Sequence, residues 1–163
     1  MDFEDLYQKI QDDPSTRVDP EWVDTWLDNL GAKSEDYHYL ENKTISTIEE
    51  EKEKVLREFQ EMKKWQRSLA MYRVIHDLQD LRLGYPIRWI RERPVGEFTL
   101  TNGAILVQTK FLQKGTYIVC KNGKTMMQYL FDECITFQKM TAEEWIVLLA
   151  NGNSKDSEAI TII

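Results

Sequence analysis

Apolar residues follow a helical period in the first 31 residues and a two-residue period between residues 97 and 138. The first part predicts two short amphipathic helices separated by Pro14 and Ser15. The second of these has Asp19 as N-cap, Pro20 at the first helical position and Gly31 as its stop. Helices this short need a docking surface, either the protein's own core or a partner. The residues predicted to bind a partner are Phe3, Leu6, Tyr7, Ile10, Trp22, Trp26 and Leu27.

Residues 44–83 predict one long helix because they contain neither glycine nor proline. Acidic residues near Glu50 and a basic Arg82 near the end agree with the helix dipole. The apolar positions from Val55 onward do not keep a strict heptad, so a long coiled coil is not expected. We expect the second half to pack on a sheet and the first half to project into solvent or onto a neighbour.

Two Asn-Gly pairs, at Asn102-Gly103 and Asn122-Gly123, each separate strand-like runs and therefore predict tight hairpins. They predict an antiparallel meander of four to five strands, the last of them from Cys134 to Gln138. The expected cross-strand pairs are Leu100 with Ile105, Val107 with Cys120, Phe111 with Thr116 and Ile118 with Met127. The expected inward face comprises Phe98, Leu100, Ile105, Val107, Phe111, Ile118, Cys120, Met127 and Tyr129. The preceding run, residues 87–94, reads as an edge strand or extended link because it ends in Pro94.

A capping box, Thr141-Ala142-Glu143-Glu144, predicts a last helix that ends near Asn151-Gly152. Residues 153–163 then form a polar tail whose apolar end could add as a strand to a sheet edge. The predicted fold class is α+β in one domain. It combines an acidic helical segment (1–31), a long helix (44–83), a small antiparallel meander with a C-terminal helix (84–152) and the tail.

The net charge of −7 is concentrated at the start of the chain, where residues 1–31 hold nine acidic and two basic residues. Residues 32–163 are neutral in sum, and residues 84–150 carry a small basic excess of +2. This asymmetry argues against contact between the acidic segment and nucleic acid, because the segment would repel phosphate.

Composition and leader signals indicate the expected compartment. The chain begins with an acidic Met1-Asp2-Phe3 stretch rather than the basic-then-apolar pattern of a secretory signal, and no run approaches the roughly 18 apolar residues of a membrane span. The two cysteines, Cys120 and Cys134, lie in apolar strand-like runs and are expected to be buried, reduced thiols. We therefore expect a protein of a reducing intracellular compartment: cytoplasm, nucleus or an assembled particle.

Reactive motifs are weak in this sequence. Gly123-Lys124-Thr125 imitates the end of a phosphate loop, but Ile118 stands where the motif needs its first glycine. His38 and His76 belong to different predicted elements and have no metal-ligand spacing around them. We therefore predict no catalytic, cofactor-binding or metal-binding residues and no enzymatic activity.

The sequence favours a non-enzymatic interaction subunit of a larger protein assembly, which binds other protein subunits through its amphipathic helices and its C-terminal tail. A virion or another multi-subunit particle would suit such a subunit. The alternative is a protein that binds nucleic acid through a basic and aromatic face of the sheet. That face would comprise Arg88, Trp89, Arg91, Arg93, Lys110, Lys114, Lys121 and Lys124. Two further hypotheses are an enzyme whose site is assembled from scattered residues and an acidic arm that mimics nucleic acid.

Overall fold

The computed structural model describes the backbone of residues 34–162 and the side chains of residues 37–152. The described residues form two compact units, one made of residues 34–50 and 140–162 and the other of Glu51–Lys139. The two short helices predicted within residues 1–31 lie outside the described residues. So do the predicted partner-binding residues Phe3, Leu6, Tyr7, Ile10, Trp22, Trp26 and Leu27.

Three α-helices and six strands make up most of the described chain. The helices are α1 (Ile45–Leu56), α2 (Met62–Ser68) and α3 (Ala142–Ile162). The strands are β1 (Tyr72–Ile75), β2 (Pro86–Arg91), β3 (Ala104–Leu112), β4 (Gly115–Asn122), β5 (Thr125–Leu130) and β6 (Cys134–Lys139). Short 3₁₀ segments occupy Ser34–Leu40, Leu78–Asp80 and Phe131–Glu133. Within residues 34–162, no helix combines the length and the apolar character that a bilayer crossing requires.

All six strands join one antiparallel sheet in the order β1-β6-β2-β3-β4-β5. The strands from β2 to β5 are neighbours both in sequence and in space, whereas β6 returns to lie between β1 and β2. The mixed helix-and-sheet fold and the C-terminal helix are thus confirmed. The predicted count of four to five strands is too low, because β1 was not foreseen.

The sheet is strongly curved around the core cluster on one of its faces, which includes Ile87, Leu106 and Ile118. On this face Trp89 of β2 stacks on Tyr129 of β5, with ring centroids 4.4 Å apart and planes inclined by 21°. Two other strands separate β2 from β5, so a flat sheet would hold these residues about 14 Å apart at the usual strand spacing. The stack therefore requires that this face be concave.

The other face of the sheet, at β1, β6 and β2, is covered by helices. Leu56, Trp65 and Leu69 of the helical region pack with strand residues such as Phe137 in a second buried cluster. Lys52 is fully buried, and its Nζ donates a hydrogen bond of 3.0 Å to the carbonyl oxygen of Leu69. Leu69 caps the C-terminus of α2, where backbone carbonyls lack helical partners and a cation is favourable.

Gln138 is a buried polar residue of the central strand β6. Its Nε2 donates to the carbonyl oxygen of Arg82 at 2.7 Å, and its Oε1 accepts from the backbone N–H of Arg82 at 2.8 Å. The same Oε1 accepts a longer bond of 3.5 Å from the Arg73 guanidinium. The side-chain amide thereby pairs with the backbone at Arg82 as a neighbouring strand would. Both polar groups of the buried amide have hydrogen-bond partners.

The capping box that opens α3 is confirmed. The backbone N–H of Thr141 donates to Glu144 Oε1 at 3.0 Å, and the backbone N–H of Glu144 donates to Thr141 Oγ1 at 3.1 Å. The Tyr39 hydroxyl donates to the second carboxylate oxygen of Glu144 at 2.8 Å. A helix start and the Ser34–Leu40 segment are thus joined by one buried carboxylate.

The predicted end of the last helix near Asn151-Gly152 is wrong, because α3 continues to Ile162. Gly152 does not adopt the left-handed conformation that would make it a helix stop. Asn151 Nδ2 instead donates to the carbonyl oxygens of Leu40 and Lys43, at 2.9 and 2.8 Å. The backbone of residues 153–162 is therefore helical rather than an extended tail.

The single long helix predicted over residues 44–83 is also wrong. α1 ends at Leu56, a turn region separates it from α2, and the chain then enters β1. Met71 lies between α2 and β1 with a φ of 69°, a left-handed conformation that cannot continue a helix. The β1 residues Tyr72–Ile75 favour strands, and their pairing with β6 overrides the helical period of the sequence.

Only the second Asn-Gly pair makes the predicted hairpin. Asn122 pairs with Thr125, so Gly123 and Lys124 form the two-residue turn, and Gly123 has the positive φ of 62° that such turns require. Ile118 consequently pairs with Tyr129 rather than with Met127. At Asn102-Gly103 there is no hairpin. Leu100 forms an isolated bridge with Ile90, and β3 pairs with β2, which is an interior strand rather than the expected edge.

A β-bulge at Val107 changes which side chains of β3 face the core. Leu106 pairs with Cys120 and Gln108 with Val119, so Val107 has no partner of its own, and the predicted Val107–Cys120 pair is wrong. The predicted Phe111–Thr116 pair is confirmed. Four residues expected on the inward face are exposed: Phe98, Ile105, Val107 and Phe111.

Gly103 is expected to tolerate no side chain. Its φ is +98°, and a Cβ placed there would lie 2.7 Å from the Ile87 carbonyl oxygen. Gly103→Ala should therefore lower the free energy of unfolding by about 2–3 kcal/mol. Gly96→Ala is the control, because Gly96 has a similar φ of +100° with open space around it, and it should cost only about 1 kcal/mol. Urea denaturation measures both, and equal losses would contradict the close approach.

The hydrogen bonds of the Gln138 amide are expected to stabilise the fold beyond the packing of the side chain. Gln138→Met keeps a similar size but leaves the backbone of Arg82 without its two partners, so the free energy of unfolding should fall by about 2 kcal/mol. Gln108→Met makes the same change at an exposed position of β3 and should alter it by less than about 0.5 kcal/mol. If both variants unfold at the same urea concentration, the amide pairing is not structurally important.

Candidate functional site

The outward face of β3, β4 and β5 is the main exposed surface of mixed apolar and basic character in the described chain. Ile105 pairs with Lys121 and Lys121 with Met126, so these three side chains form one row across three strands. Lys110 of β3 lies on the same face, and the bulged Val107 is exposed beside it. We call Ile105, Val107, Lys110, Lys121 and Met126 the meander surface.

Exposure on this surface is high for apolar side chains that belong to a folded sheet. Met126 is 53% exposed and Ile105 is 42% exposed, whereas their neighbours on the concave face, Ile118 and Cys120, are completely buried. At the β3–β4 hairpin, Phe111 and Leu112 are also exposed. Exposed large apolar side chains on an ordered sheet, here on either side of Lys121, are a feature of protein interaction sites.

The charge of the meander is of one sign. Residues 104–130 contain Lys110, Lys114, Lys121 and Lys124 and no aspartate or glutamate. All four lysines are exposed. This part of the sheet therefore has a local charge of +4 in a chain whose net charge is −7, and it would attract an acidic partner.

A cavity of about 450 Å³ opens at the end of the sheet where β2 ends and β6 begins. Its lining combines two arginines, three carboxylates and a thiol with aromatic and aliphatic side chains. The lining residues are Arg91, Glu92, Arg93, Tyr117, Tyr129, Leu130, Asp132, Glu133 and Cys134. The volume suits a small ligand. Because arginines and carboxylates both line the cavity, it favours neither an anionic nor a cationic ligand.

Two groups in this cavity, the Cys134 thiol and the Tyr129 phenol, are held in their protonated forms. Burial raises the pKa of the Cys134 thiol to about 11, Arg91 opposes this shift, and Glu133 and Glu92 add to it. Burial also raises the pKa of Tyr129, whose hydroxyl lies 3.0 Å from Thr136 Oγ1. A thiol is reactive as the thiolate, so Cys134 is a poor nucleophile at neutral pH.

The structure separates the residues predicted to bind nucleic acid into three places. Lys110, Lys114, Lys121 and Lys124 lie on the meander. Arg91 and Arg93 line the cavity. Trp89 is buried in the stack with Tyr129, and Arg88 donates hydrogen bonds to the carbonyl oxygens of Thr101 (2.7 Å) and Ser68 (3.1 Å). The aromatic member of the set is therefore in the core, away from incoming bases.

Two apolar members of the meander surface, Ile105 and Val107, were expected on the inward face, and the run Ala104-Ile105-Leu106-Val107 explains why. In a strand, four consecutive apolar residues could bury either the first and third side chains or the second and fourth. The two-residue period alone therefore does not show which pair faces the core. The bulge and the pairing with β2 select Ala104 and Leu106 as the buried set. The four lysines were identified correctly as basic residues of the sheet.

Among the side chains that the structure describes, no three or more His, Cys, Asp or Glu residues are grouped as a metal site would require. Cys120 and Cys134 are both buried and form no disulfide, as the sequence predicted. Comparisons of the chain with protein-family models, with curated proteins and with solved structures find no match.

Alkaline pH is expected to destabilise the fold through the Cys134 thiol. The unfolded thiol loses its proton near a pKa of 9.0, whereas the folded thiol keeps it up to about 11. Between these values the unfolded state binds fewer protons, so the free energy of unfolding falls as the pH rises. Cys134→Ala should make this decline shallower in urea denaturation across that pH range.

Val119→Ala provides the control for this measurement, because Val119 is buried and does not titrate. It should lower the stability at every pH and leave the slope unchanged. A Cys134→Ala variant with the original slope would show that the thiol is not responsible.

Proposed function

We propose that this protein is a non-enzymatic subunit that binds another protein through the meander surface. The observation that carries the proposal is the row Ile105–Lys121–Met126, in which exposed apolar side chains alternate with a lysine on a rigid sheet. Burying such side chains supplies the free energy of association, while the surrounding charges select the partner.

The composition of the surface supports a protein partner. Protein interfaces combine an apolar centre with a polar rim, and methionine adapts its shape to an incoming surface. Met126 and Ile105 would form the centre, and Lys110 and Lys121 would contribute to the rim. The positive local charge favours a partner whose binding surface is acidic.

Other contacts of this subunit remain predictions. The amphipathic stripes of residues 1–31 would add further binding surfaces if they dock on a partner rather than on the protein's own core. The helical backbone of residues 153–162 replaces the predicted strand-forming tail and would offer a helix to a partner instead.

Binding rather than catalysis is also favoured by the chemistry of the cavity. The Cys134 thiol is protonated at neutral pH, and the Tyr129 phenol is buried and engaged with Thr136. The carboxylates Asp132 and Glu133 are exposed, in contrast to the desolvated carboxyl groups that commonly serve as general acids.

A second candidate function, nucleic-acid binding, is favoured by one observation, the four exposed lysines of a meander without acidic residues. Such a surface would bind phosphates without reading sequence. The burial of Trp89 removes the predicted stacking platform, so base stacking would depend on Tyr117 or Phe111.

Substitution of Met126 by glutamate tests the proposal. The full chain, carrying an affinity tag, is isolated with its complexes from the cells in which it occurs, and the intact complexes are weighed by native mass spectrometry. Met126→Glu should abolish a stoichiometric complex, because it buries a charge in the apolar centre of the interface. Val95→Glu makes the same change at an exposed apolar residue outside the meander and should leave the complex intact.

Equal losses with both variants, or a complex indifferent to Met126→Glu, would contradict the proposed surface. Binding to labelled oligonucleotides that weakens steeply with salt would instead support the second candidate. In that case Lys121→Glu would reduce oligonucleotide affinity more than Met126→Ala.

A further inference from the structure

β5 is an edge of the six-stranded sheet, with β4 as its one neighbouring strand. Within residues 34–162, the backbone–backbone hydrogen bonds of β5 belong to its ladder with β4. The N–H and C=O groups that point away from β4 are therefore available to another strand. An open edge of this kind is a template for pairing with a further chain.

The two edges of the sheet differ in how they are protected. β1, the opposite edge, has four residues, and short edge strands discourage pairing. β5 has six residues, Thr125–Leu130, with no charged side chain and no proline. It therefore lacks the side chains with which monomeric sheet proteins usually block an edge.

The charges at the two ends of β5 are of opposite sign. Lys124 immediately precedes the strand, and Asp132 follows it within the Phe131–Glu133 segment; both side chains are exposed. An antiparallel pair of two identical strands sets the beginning of each beside the end of the other. With Gln128 opposite its own counterpart, the turn that holds Lys124 in one copy lies beside the Phe131–Glu133 segment that holds Asp132 in the second copy, twice in the dimer.

The same alignment matches the faces of the two sheets. Met126 lies opposite Leu130 of the second copy, and both belong to the outward face, while Met127 lies opposite Tyr129, and both belong to the concave side. A parallel arrangement would instead set lysine beside lysine. Charge and side-chain alternation thus agree on one antiparallel register.

We propose that β5 pairs antiparallel with β5 of a second copy of this chain, which joins two six-stranded sheets into one. This interface shares Met126 with the meander surface, but the proposal rests on the edge of β5 and does not depend on the proposed function. The partner that it identifies is the protein itself.

Charge exchange between Lys124 and Asp132 tests this pairing, with the full chain measured by sedimentation equilibrium over a wide concentration range. The unmodified chain should form a dimer. Lys124→Glu and Asp132→Lys should each raise the dimer dissociation constant roughly tenfold, because each replaces two attractive cross-strand pairs by repulsive ones. The double variant Lys124→Glu/Asp132→Lys should restore the original value.

Mixing the two single variants provides an independent test. A heterodimer of Lys124→Glu with Asp132→Lys brings opposite charges together at both ends, so the mixture should dimerise where each variant alone does not. Lys63→Glu is the control, since it makes the same charge change at an exposed site on α2, away from β5, and should leave dimerisation unaffected. Circular dichroism would confirm that every variant is folded.

A chain that remains monomeric at all concentrations would overturn the proposal. So would a dimer that weakens equally with Lys63→Glu or is not restored in the double variant, because such a dimer uses another surface. Neither result decides whether the meander surface binds a partner, because Ile105 and Val107 of that surface lie on β3, with β4 between them and the edge of β5.

Discussion

The side-chain amide of Gln138 is the interaction on which the sheet depends. β6 is the last strand in the sequence but a central strand in space, and the chain must pass from β1 on one side of it to β2 on the other. Gln138 holds that passing segment by hydrogen bonds in both directions with the backbone of Arg82, and Arg73 of β1 reaches the same amide. A buried amide lowers the stability of a fold unless its hydrogen bonds are made. If the segment at Arg82 lay elsewhere, the Gln138 amide would lose these partners and destabilise the sheet.

This arrangement divides the sheet into two halves of different character. Around β6, residues of both faces are buried, with Phe137 on one face and Thr136 and Gln138 on the other. In the meander, the concave face is buried while much of the outward face is exposed. The surface proposed to bind a partner is thus a consequence of topology, because the end of α1 at Leu56 and the region of α2 pack with the β1–β6–β2 half.

Local features with short-range chemistry could be predicted from the sequence. The capping box at Thr141, the Phe111–Thr116 pair and the burial of both cysteines depend on neighbouring residues or on plain apolar character. Features set by distant contacts could not. The strand β1 exists because β6 pairs with it, and Gly103 is required by the close approach of the Ile87 carbonyl rather than by a hairpin turn.

The candidate site shows the same division. Its lysines were recognised because charge is visible in the sequence. Its apolar members on β3, Ile105 and Val107, were assigned to the core because the bulge at Val107, which shifts the register of β3, was not foreseen. The stack of Trp89 on Tyr129 depends on the curvature of the whole sheet and has no local signature. That stack also gives the protein an intrinsic spectroscopic signal of its sheet curvature. The indole and phenol transitions couple only while the sheet is curled, so near-ultraviolet ellipticity reports this curvature without any added label.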